Sequence, residues 1–220
     1  MLARWLPLIW VITFVGVGFV WRAWFHYRRF GHSGFVLFRS GVWTQHMRDV
    51  LLMSMSVVIG AQAVAYAVAR SSLAPLAVVP PPTAGLWLGL GTLLLFGGIV
   101  LMVAAQLQLG ASWRVGIDEQ ARPGLMTSGL YRFTRNPIYL ALFVALAGLV
   151  VVLPTWLTLA VVAASVAGIH SAVRAEERYL RRAYGEAFES YARRVGRFVP
   201  GLGTLPNGAQ LRLAGRRAAP

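Results

Sequence analysis

The sequence predicts an all-α membrane protein with five transmembrane helices and a cytoplasmic C-terminal helix. Apolar residues make up 57% of the chain and charged residues only 13%, whereas a soluble domain has about 25% charged residues. Separate apolar runs follow one another along the chain, and a helix needs about 20 residues to cross a bilayer. Together these observations exclude an ordinary soluble domain.

The predicted spans cover residues 5–25, 50–69, 86–109, 138–153 and 156–173. The first three runs are long enough to cross a bilayer alone. The last two are shorter and meet at Pro154, and a proline inside a long apolar run interrupts the helix. We therefore predict a tight helical hairpin for the last two spans, with each arm close to the minimum length.

The arginines indicate the orientation, because cytoplasmic loops of membrane proteins carry an excess of positive charge. All 21 basic residues are arginine. Alternating spans place all of them except Arg4 and Arg70 on one side of the membrane. We predict a bacterial inner-membrane protein with its N-terminus outside and its C-terminus in the cytoplasm.

One membrane domain is expected over residues 1–200. Its first part, residues 1–84, contains two helices and an outer loop, and its second part, residues 85–200, contains the remaining spans. Residues 201–220 are rich in Gly, Pro, Ala and Arg and are predicted to form a disordered basic tail. Residues 174–195 are predicted to continue the fifth helix. Their apolar positions recur at steps of three or four, at Leu180, Tyr184, Phe188, Tyr191 and Val195. Small residues that permit close helix contacts occur in the first two helices, at Gly16, Gly18 and Gly60.

Two polar clusters stand at the ends of apolar runs. Residues 129–139 read Gly-Leu-Tyr-Arg-Phe-Thr-Arg-Asn-Pro-Ile-Tyr, and Glu176 and Glu177 follow the last apolar run. The predicted topology places both clusters on the cytoplasmic side. Polar residues grouped at membrane depth are candidates for function.

This pattern resembles the isoprenylcysteine carboxyl methyltransferase and phospholipid methyltransferase family. The family pattern is a Gly-x-Tyr-x-x-x-Arg-(His/Asn)-Pro-x-Tyr loop, a Glu-Glu pair and a later aromatic stretch. That stretch corresponds here to Tyr184, Gly185, Phe188, Tyr191 and Pro200. The resemblance covers about residues 106–200. It implies transfer of a methyl group from S-adenosyl-L-methionine to an amphiphilic or hydrophobic acceptor at the cytoplasmic face.

The resemblance also implies a set of site residues. Those expected to bind the cofactor are Gly129, Leu130, Tyr131, Arg135, Asn136, Pro137, Tyr139, Glu176 and Glu177. Arg135, Asn136 and Glu176 are expected to be catalytic. Arg135 suits a carboxylate anchor because a guanidinium pairs with a carboxylate through two hydrogen bonds. Many family members have His where this chain has Asn136, and Asn can form hydrogen bonds but cannot serve as a base.

Helical phase distinguishes the two glutamates. Glu177 lies three residues after Arg174 and four before Arg181, so it is expected to form an exposed ion pair of little energetic value. Glu176 shares its stripe with Val173 and is expected to face inward. A carboxylate on an apolar face needs a partner.

The acceptor site is placed on Gln106, Trp113 and Arg114, in the segment 106–119 that leaves the third helix, and on His170. Anchoring at the membrane interface is an equal alternative for Trp113 and Arg114. The methylated atom could be a carboxylate oxygen, an amine nitrogen or a thiol sulfur. A carboxylate is already ionised at neutral pH, whereas an ammonium group must first lose a proton.

Two other function classes remain open, a membrane reductase related to the sterol reductases and a non-catalytic scaffold. The chain has no Cys, which excludes disulfides and thiolate chemistry. Its histidines lack companions at metal-ligand spacing, so no metal site is predicted. The expected partners are the membrane and a lipid or hydrophobic small molecule, and no nucleic acid is expected.

Overall fold

The computed structural model describes residues 2–39, 42–116 and 124–206. Within these ranges every regular element is helical, which confirms the predicted all-α class. The α-helices are α1 (Leu6–Val15), α2 (Arg22–Phe30), α3 (Trp43–Val68), α4 (Gly85–Leu109), α5 (Pro137–Val152), α6 (Trp156–Tyr184) and α7 (Glu186–Arg194).

Four helical stretches in the described part of the chain are long and apolar enough to cross a membrane. They are Ala3–Phe30, Trp43–Val68, Gly85–Ser112 and Trp156–Tyr184. Helix α5 has only 16 residues, or about 24 Å at 1.5 Å per residue, against about 30 Å for the hydrocarbon core. The structure therefore supports four of the five predicted spans.

The first stretch joins α1 to α2 through a π-helical segment, Gly16–Trp21. At Gly18 the side chain of Met102 occupies the space that a Cβ would need, and the Gly18 carbonyl accepts a hydrogen bond of 3.2 Å from Gln106 Nε2. Gly16 and Gly60 have no atom within 4 Å of such a Cβ. Of the three glycines predicted to allow close contact, only Gly18 is in one.

Helices α4 and α5 pack more closely than any other pair. A Cβ added at Gly98 would lie 2.8 Å from the carbonyl oxygen of Ala141, and one at Gly148 would lie 2.7 Å from the amide nitrogen of Leu95. Glycine at these positions lets the two backbones touch. Helix α6 packs mainly on α3 instead, although α5 and α6 also touch. The two helices follow each other through the turn at Pro154, and each has its main packing partner elsewhere.

The turn between α5 and α6 is covered by the segment that follows α3. The amide of Val78 donates a hydrogen bond of 2.9 Å to the carbonyl of Pro154. Thr155 is 1% exposed, and its hydroxyl accepts a hydrogen bond of 2.5 Å from Gln62 Nε2. Partners within the protein therefore satisfy polar groups at this buried turn, as a membrane interior requires.

The predicted continuous helix to residue 195 is interrupted at Gly185, which has a φ of 51°. Glycine adopts this left-handed region with little steric cost and commonly ends helices. The predicted apolar positions nevertheless meet across the break, where Phe188, Tyr191 and Val195 form a buried cluster. Leu205 packs on the same cluster. The rest of the predicted tail, residues 207–220, lies outside the described residues.

Candidate functional site

A cavity of about 720 Å³ lies among α1, α3, α4, α5 and α6. Small-molecule sites typically have volumes of about 300–1,000 Å³. Its apolar wall includes Trp10, Phe14, Leu52, Ile59, Met102 and Leu146, and its polar groups include Gln45, Arg48, Gln106, Tyr139 and Glu176. The polar groups come from the first two turns of α3, the first turn of α5, the last turn of α4 and the C-terminal third of α6, so they lie toward one end of the bundle.

Tyr139 and Glu176 form the central polar pair of the cavity wall. The phenol hydroxyl of Tyr139 lies within interaction range of the Glu176 carboxyl group. Both residues line the cavity. Glu176 thus lies on the inward face of α6 that helical phase predicts, and Tyr139 is the partner that a carboxylate on this face needs.

Glu177 is not the exposed surface residue that the sequence predicts. Its side chain is 12% exposed, and its two oxygens pair with Arg135 Nη2 at 2.8 Å and with Arg197 Nη2 at 2.7 Å. The expected pairing with Arg174 or Arg181 is wrong. The chain after α7 folds back over this face of α6 and brings Arg197 to it, and helical phase within α6 contains no information about that return.

Arg135 uses all its guanidinium donors inside the protein. Its Nε and Nη2 both donate to Glu177 Oε1, Nη1 donates to the carbonyls of Ala192 and Val195, and Nη2 also donates to the carbonyl of Gly203. A guanidinium has five N–H groups, and these five bonds engage them. In this arrangement no donor remains for the carboxylate of a ligand, so Arg135 holds the returning chain in place.

Asn136 and its neighbours hold the same returning segment. Asn136 Nδ2 donates to the Arg197 carbonyl at 3.0 Å, and the Thr134 hydroxyl donates to the same oxygen at 3.2 Å. The Arg135 amide donates to the carbonyl of Gly196 at 2.9 Å. The hydrogen bonds to Glu177 raise the pKa of Arg197 above its ordinary value. Residues 192–203 thus hold in place the polar loop, residues 129–136, which immediately precedes α5.

Tyr131 belongs to the buried part of the loop. Its carbonyl accepts a hydrogen bond of 2.5 Å from the Tyr191 hydroxyl. Burial raises the pKa of the Tyr131 phenol and raises that of Tyr191 to about 12. Both phenols therefore stay neutral and can only donate or accept hydrogen bonds at physiological pH.

The other predicted cofactor residues divide into two groups. Tyr131, Asn136, Pro137 and Tyr139 line the cavity. Gly129 and Leu130 lie against Gln108 instead: the Leu130 amide donates to Gln108 Oε1 at 2.7 Å, and Gly129 has a φ of +61°. The latter two therefore shape the loop from outside the cavity.

The predicted acceptor residues divide in the same way. Gln106, Trp113 and Arg114 line the cavity. His170 lies outside its lining, with Nδ1 at 2.9 Å from the Val166 carbonyl and its ring against Phe198. The end of the predicted acceptor segment, residues 117–119, lies outside the described residues.

Some residues of this region were missed by sequence reasoning. Arg22 is fully buried; its Nη2 donates to the Gln106 carbonyl at 3.1 Å, and its guanidinium lies 4.5 Å from the Trp113 ring centre. Gln45, Arg48 and Asp49 line the cavity from α3. The sequence did contain a signal for the three residues of α3: polar residues at helical spacing directly before an apolar run. Nothing in the sequence indicated which of the many arginines would be buried.

Comparison with known proteins gives one family. Residues 86–187 match the family described as phospholipid methyltransferase. The matched segment runs from α4 into the first turn of α7 and contains the polar loop and both glutamates. Helices α1 to α3 lie outside it. No curated protein and no solved structure matches the chain.

Proposed function

We propose that this chain, whose residues 86–187 belong to the phospholipid methyltransferase family, transfers the methyl group of S-adenosyl-L-methionine to an amphiphilic acceptor. The observation that carries the proposal is the coincidence of the family match with the cavity. The matched helices α4, α5 and α6 supply the Tyr139–Glu176 pair and much of the apolar wall. The match is to methyltransferases, which favours this reaction over the reductase and scaffold alternatives.

The cofactor supplies an activated methyl group on a sulfonium, so the protein needs to align the acceptor, exclude water and tolerate a moving positive charge. Apolar walls exclude water here, and the Glu176 carboxylate offers a negative group beside them. We assign to Glu176 a contact with the cofactor's ammonium or ribose, which would be a charge-assisted hydrogen bond. Tyr139 holds that carboxylate in its orientation.

The residues of this site fit such a cofactor if some loop residues contact it and the others hold the loop in position. Tyr131, Asn136, Pro137 and Tyr139 line the cavity and are the loop residues that we assign to contact it. Arg135 also lines the cavity, but its guanidinium donors are engaged within the protein. Arg135 and Glu177 act as positioning residues through their mutual ion pair. Gly129 and Leu130 support the loop from behind. This division replaces the carboxylate-anchor role that the sequence suggested for Arg135.

The acceptor is proposed to be a lipid or a similar hydrophobic molecule, because the cavity combines polar groups at one end with a long apolar wall. A carboxylate acceptor would need no base. For an amine acceptor, Glu176 could take the proton, because the other carboxylates of the described cavity wall are engaged, Asp49 by the Phe38 amide and Glu177 by two arginines. The chemistry of the acceptor's head group therefore determines which atom is methylated.

We further propose that residues 1–200 form a single domain in a bacterial inner membrane, with the polar end of the cavity facing the cytoplasm. The distribution of arginines supports this orientation. Helix α5 would then reach only to the covered turn at Pro154, and the helices around it would complete the span.

The test is binding of S-adenosyl-L-homocysteine, the demethylated cofactor, to the detergent-solubilised full chain by calorimetry. Saturable binding that Glu176→Gln weakens supports the proposal. Glu186→Gln is the matched control, because its side chain is 77% exposed and lies on α7. Absence of binding to the wild-type protein would overturn the proposal, and oxidation of a nicotinamide cofactor would support the reductase alternative.

A further inference from the structure

Arg48 is a cation in the cavity wall that has no carboxylate partner among the residues that the structure describes. It lies in the second turn of α3 and is half-buried. Within the described ranges its guanidinium forms no ion pair and no hydrogen bond, in contrast to Arg135 and Arg197, which share Glu177. Arg48 lines the same cavity as Tyr139. A partly buried charge of this kind is stabilised when an anion pairs with it.

The face of α3 that carries Arg48 continues as hydrocarbon. Leu52, Met55 and Ile59 follow Arg48 at steps of four, three and four residues, and all line the cavity. Residues at this spacing lie on one side of a helix. From Arg48 to Ile59 the stripe is about 16 Å long at 1.5 Å per residue. One face of one helix therefore presents a cation followed by a long apolar wall.

We propose that Arg48 binds the anionic group of the acceptor's head, a carboxylate or a phosphate, while the acceptor's hydrocarbon tail lies along Leu52, Met55 and Ile59. The proposal rests on the proposed methyl transfer and names the class of its substrate, an anionic amphiphile. A guanidinium suits both groups because its planar fork forms two parallel hydrogen bonds with either one.

The position of Arg48 favours the acceptor over the cofactor as its ligand. The family match covers residues 86–187 and begins after α3 has ended. A residue that recognises the cofactor common to a family is expected inside the shared segment, whereas a residue that selects an acceptor can lie outside it. Because Arg48, Tyr139 and Glu176 all line the same cavity, an anion held by Arg48 would share that cavity with the Tyr139–Glu176 pair, where the proposed chemistry takes place.

The experiment measures binding of two radiolabelled probes, dodecyl phosphate and dodecanoate, to the detergent-solubilised full chain by scintillation proximity. Labelled dodecanol, which has the same tail and no charge, is the comparison ligand. We expect Arg48→Gln to weaken the binding of the preferred anionic probe at least tenfold and to leave dodecanol within twofold. The tighter of the two anionic probes identifies the head group as phosphate or carboxylate.

Arg174→Gln is the matched control, because Arg174 is an exposed arginine on α6. Its binding of all three probes is expected to equal that of the wild type. Arg48→Lys keeps the charge but loses the fork, so its affinity for the anionic probe is expected to lie between those of the wild type and Arg48→Gln, which separates loss of charge from misfolding. Size-exclusion profiles and melting temperatures of the variants complete this control.

Three results would overturn the inference. They are failure of the wild type to bind either anionic probe above dodecanol, equal weakening of all three probes by Arg48→Gln, and loss of S-adenosyl-L-homocysteine binding in Arg48→Gln, which would assign Arg48 to the cofactor. Failure of the proposed function itself has a different signature, since the wild-type protein would then bind no S-adenosyl-L-homocysteine at all.

Discussion

Arg135 and Glu177 lie 42 positions apart in the chain, and two hydrogen bonds of 3.1 and 2.8 Å join the guanidinium to a single carboxylate oxygen. The guanidinium is 2% exposed and the carboxylate 12%. The other oxygen of Glu177 binds Arg197. This three-residue network connects the loop before α5, the end of α6 and the chain that returns after α7, so it holds together the end of the bundle where the cavity has its polar groups.

The network makes a prediction about stability. Glu177→Ala is expected to lower the free energy of unfolding by roughly 3 kcal/mol, because it strands Arg135 in a buried site. Thermal unfolding in detergent measures the effect. Glu186→Ala removes a more exposed pair with Arg193 and should cost less than about 1 kcal/mol. Equal melting temperatures for the two variants would show that Glu177 has no structural role.

A second prediction separates the two glutamates by what they affect. Glu176→Gln is expected to weaken S-adenosyl-L-homocysteine binding by roughly 1.5–3 kcal/mol, the worth of a hydrogen bond to a charged group, while the melting temperature changes little. Calorimetry and thermal unfolding on the same preparation give both quantities. Tyr139→Phe, which removes the hydroxyl that orients Glu176, should have a smaller effect in the same direction. A Glu176→Gln protein with unchanged affinity would place Glu176 outside the cofactor site.

The contact between α4 and α5 gives a prediction with a neighbouring control. Gly98→Ala is expected to destabilise the protein by about 1–3 kcal/mol, because the new methyl group would press on the backbone of α5. Gly97→Ala places the methyl group where no atom lies within 4 Å and should be neutral or slightly stabilising, since Ala favours helix over Gly. Melting temperatures in detergent compare the two. A larger loss at Gly97 would contradict the packing of these helices.

The orientation can be tested by cysteine labelling, because the chain has no natural Cys. In intact cells, a membrane-impermeant maleimide should label a Thr83→Cys variant, in the exposed segment before α4. A Glu186→Cys variant should be labelled only after the cells are permeabilised. Labelling of both variants in intact cells would refute the proposed topology.

The sequence predicted the membrane class and the helical fold because an apolar run of span length is stable in lipid only when its backbone hydrogen bonds are satisfied internally, as in a helix. It also placed Glu176 on the inward side of α6, since the phase of one helix is a local property. It predicted α5 as a short arm of a hairpin, and a fifth span at this helix stays a prediction. The length of a helix can be read from the chain, but the cover that the segment around Val78 provides for its end cannot.

The sequence by itself determined where the apolar helices lie and which residues share a helix face, because the order of polar and apolar residues is a local property. Tertiary structure decided the partners: Arg135 meets Glu177 across 42 positions. Arg197 reaches the same carboxylate across 20 positions because the chain turns at Gly185 and returns. Arg48 enters the cavity wall only because α3 packs beside α6. Helical periodicity describes the neighbours of a residue within a few turns, and the pairing of charges over longer separations depends on how the helices pack.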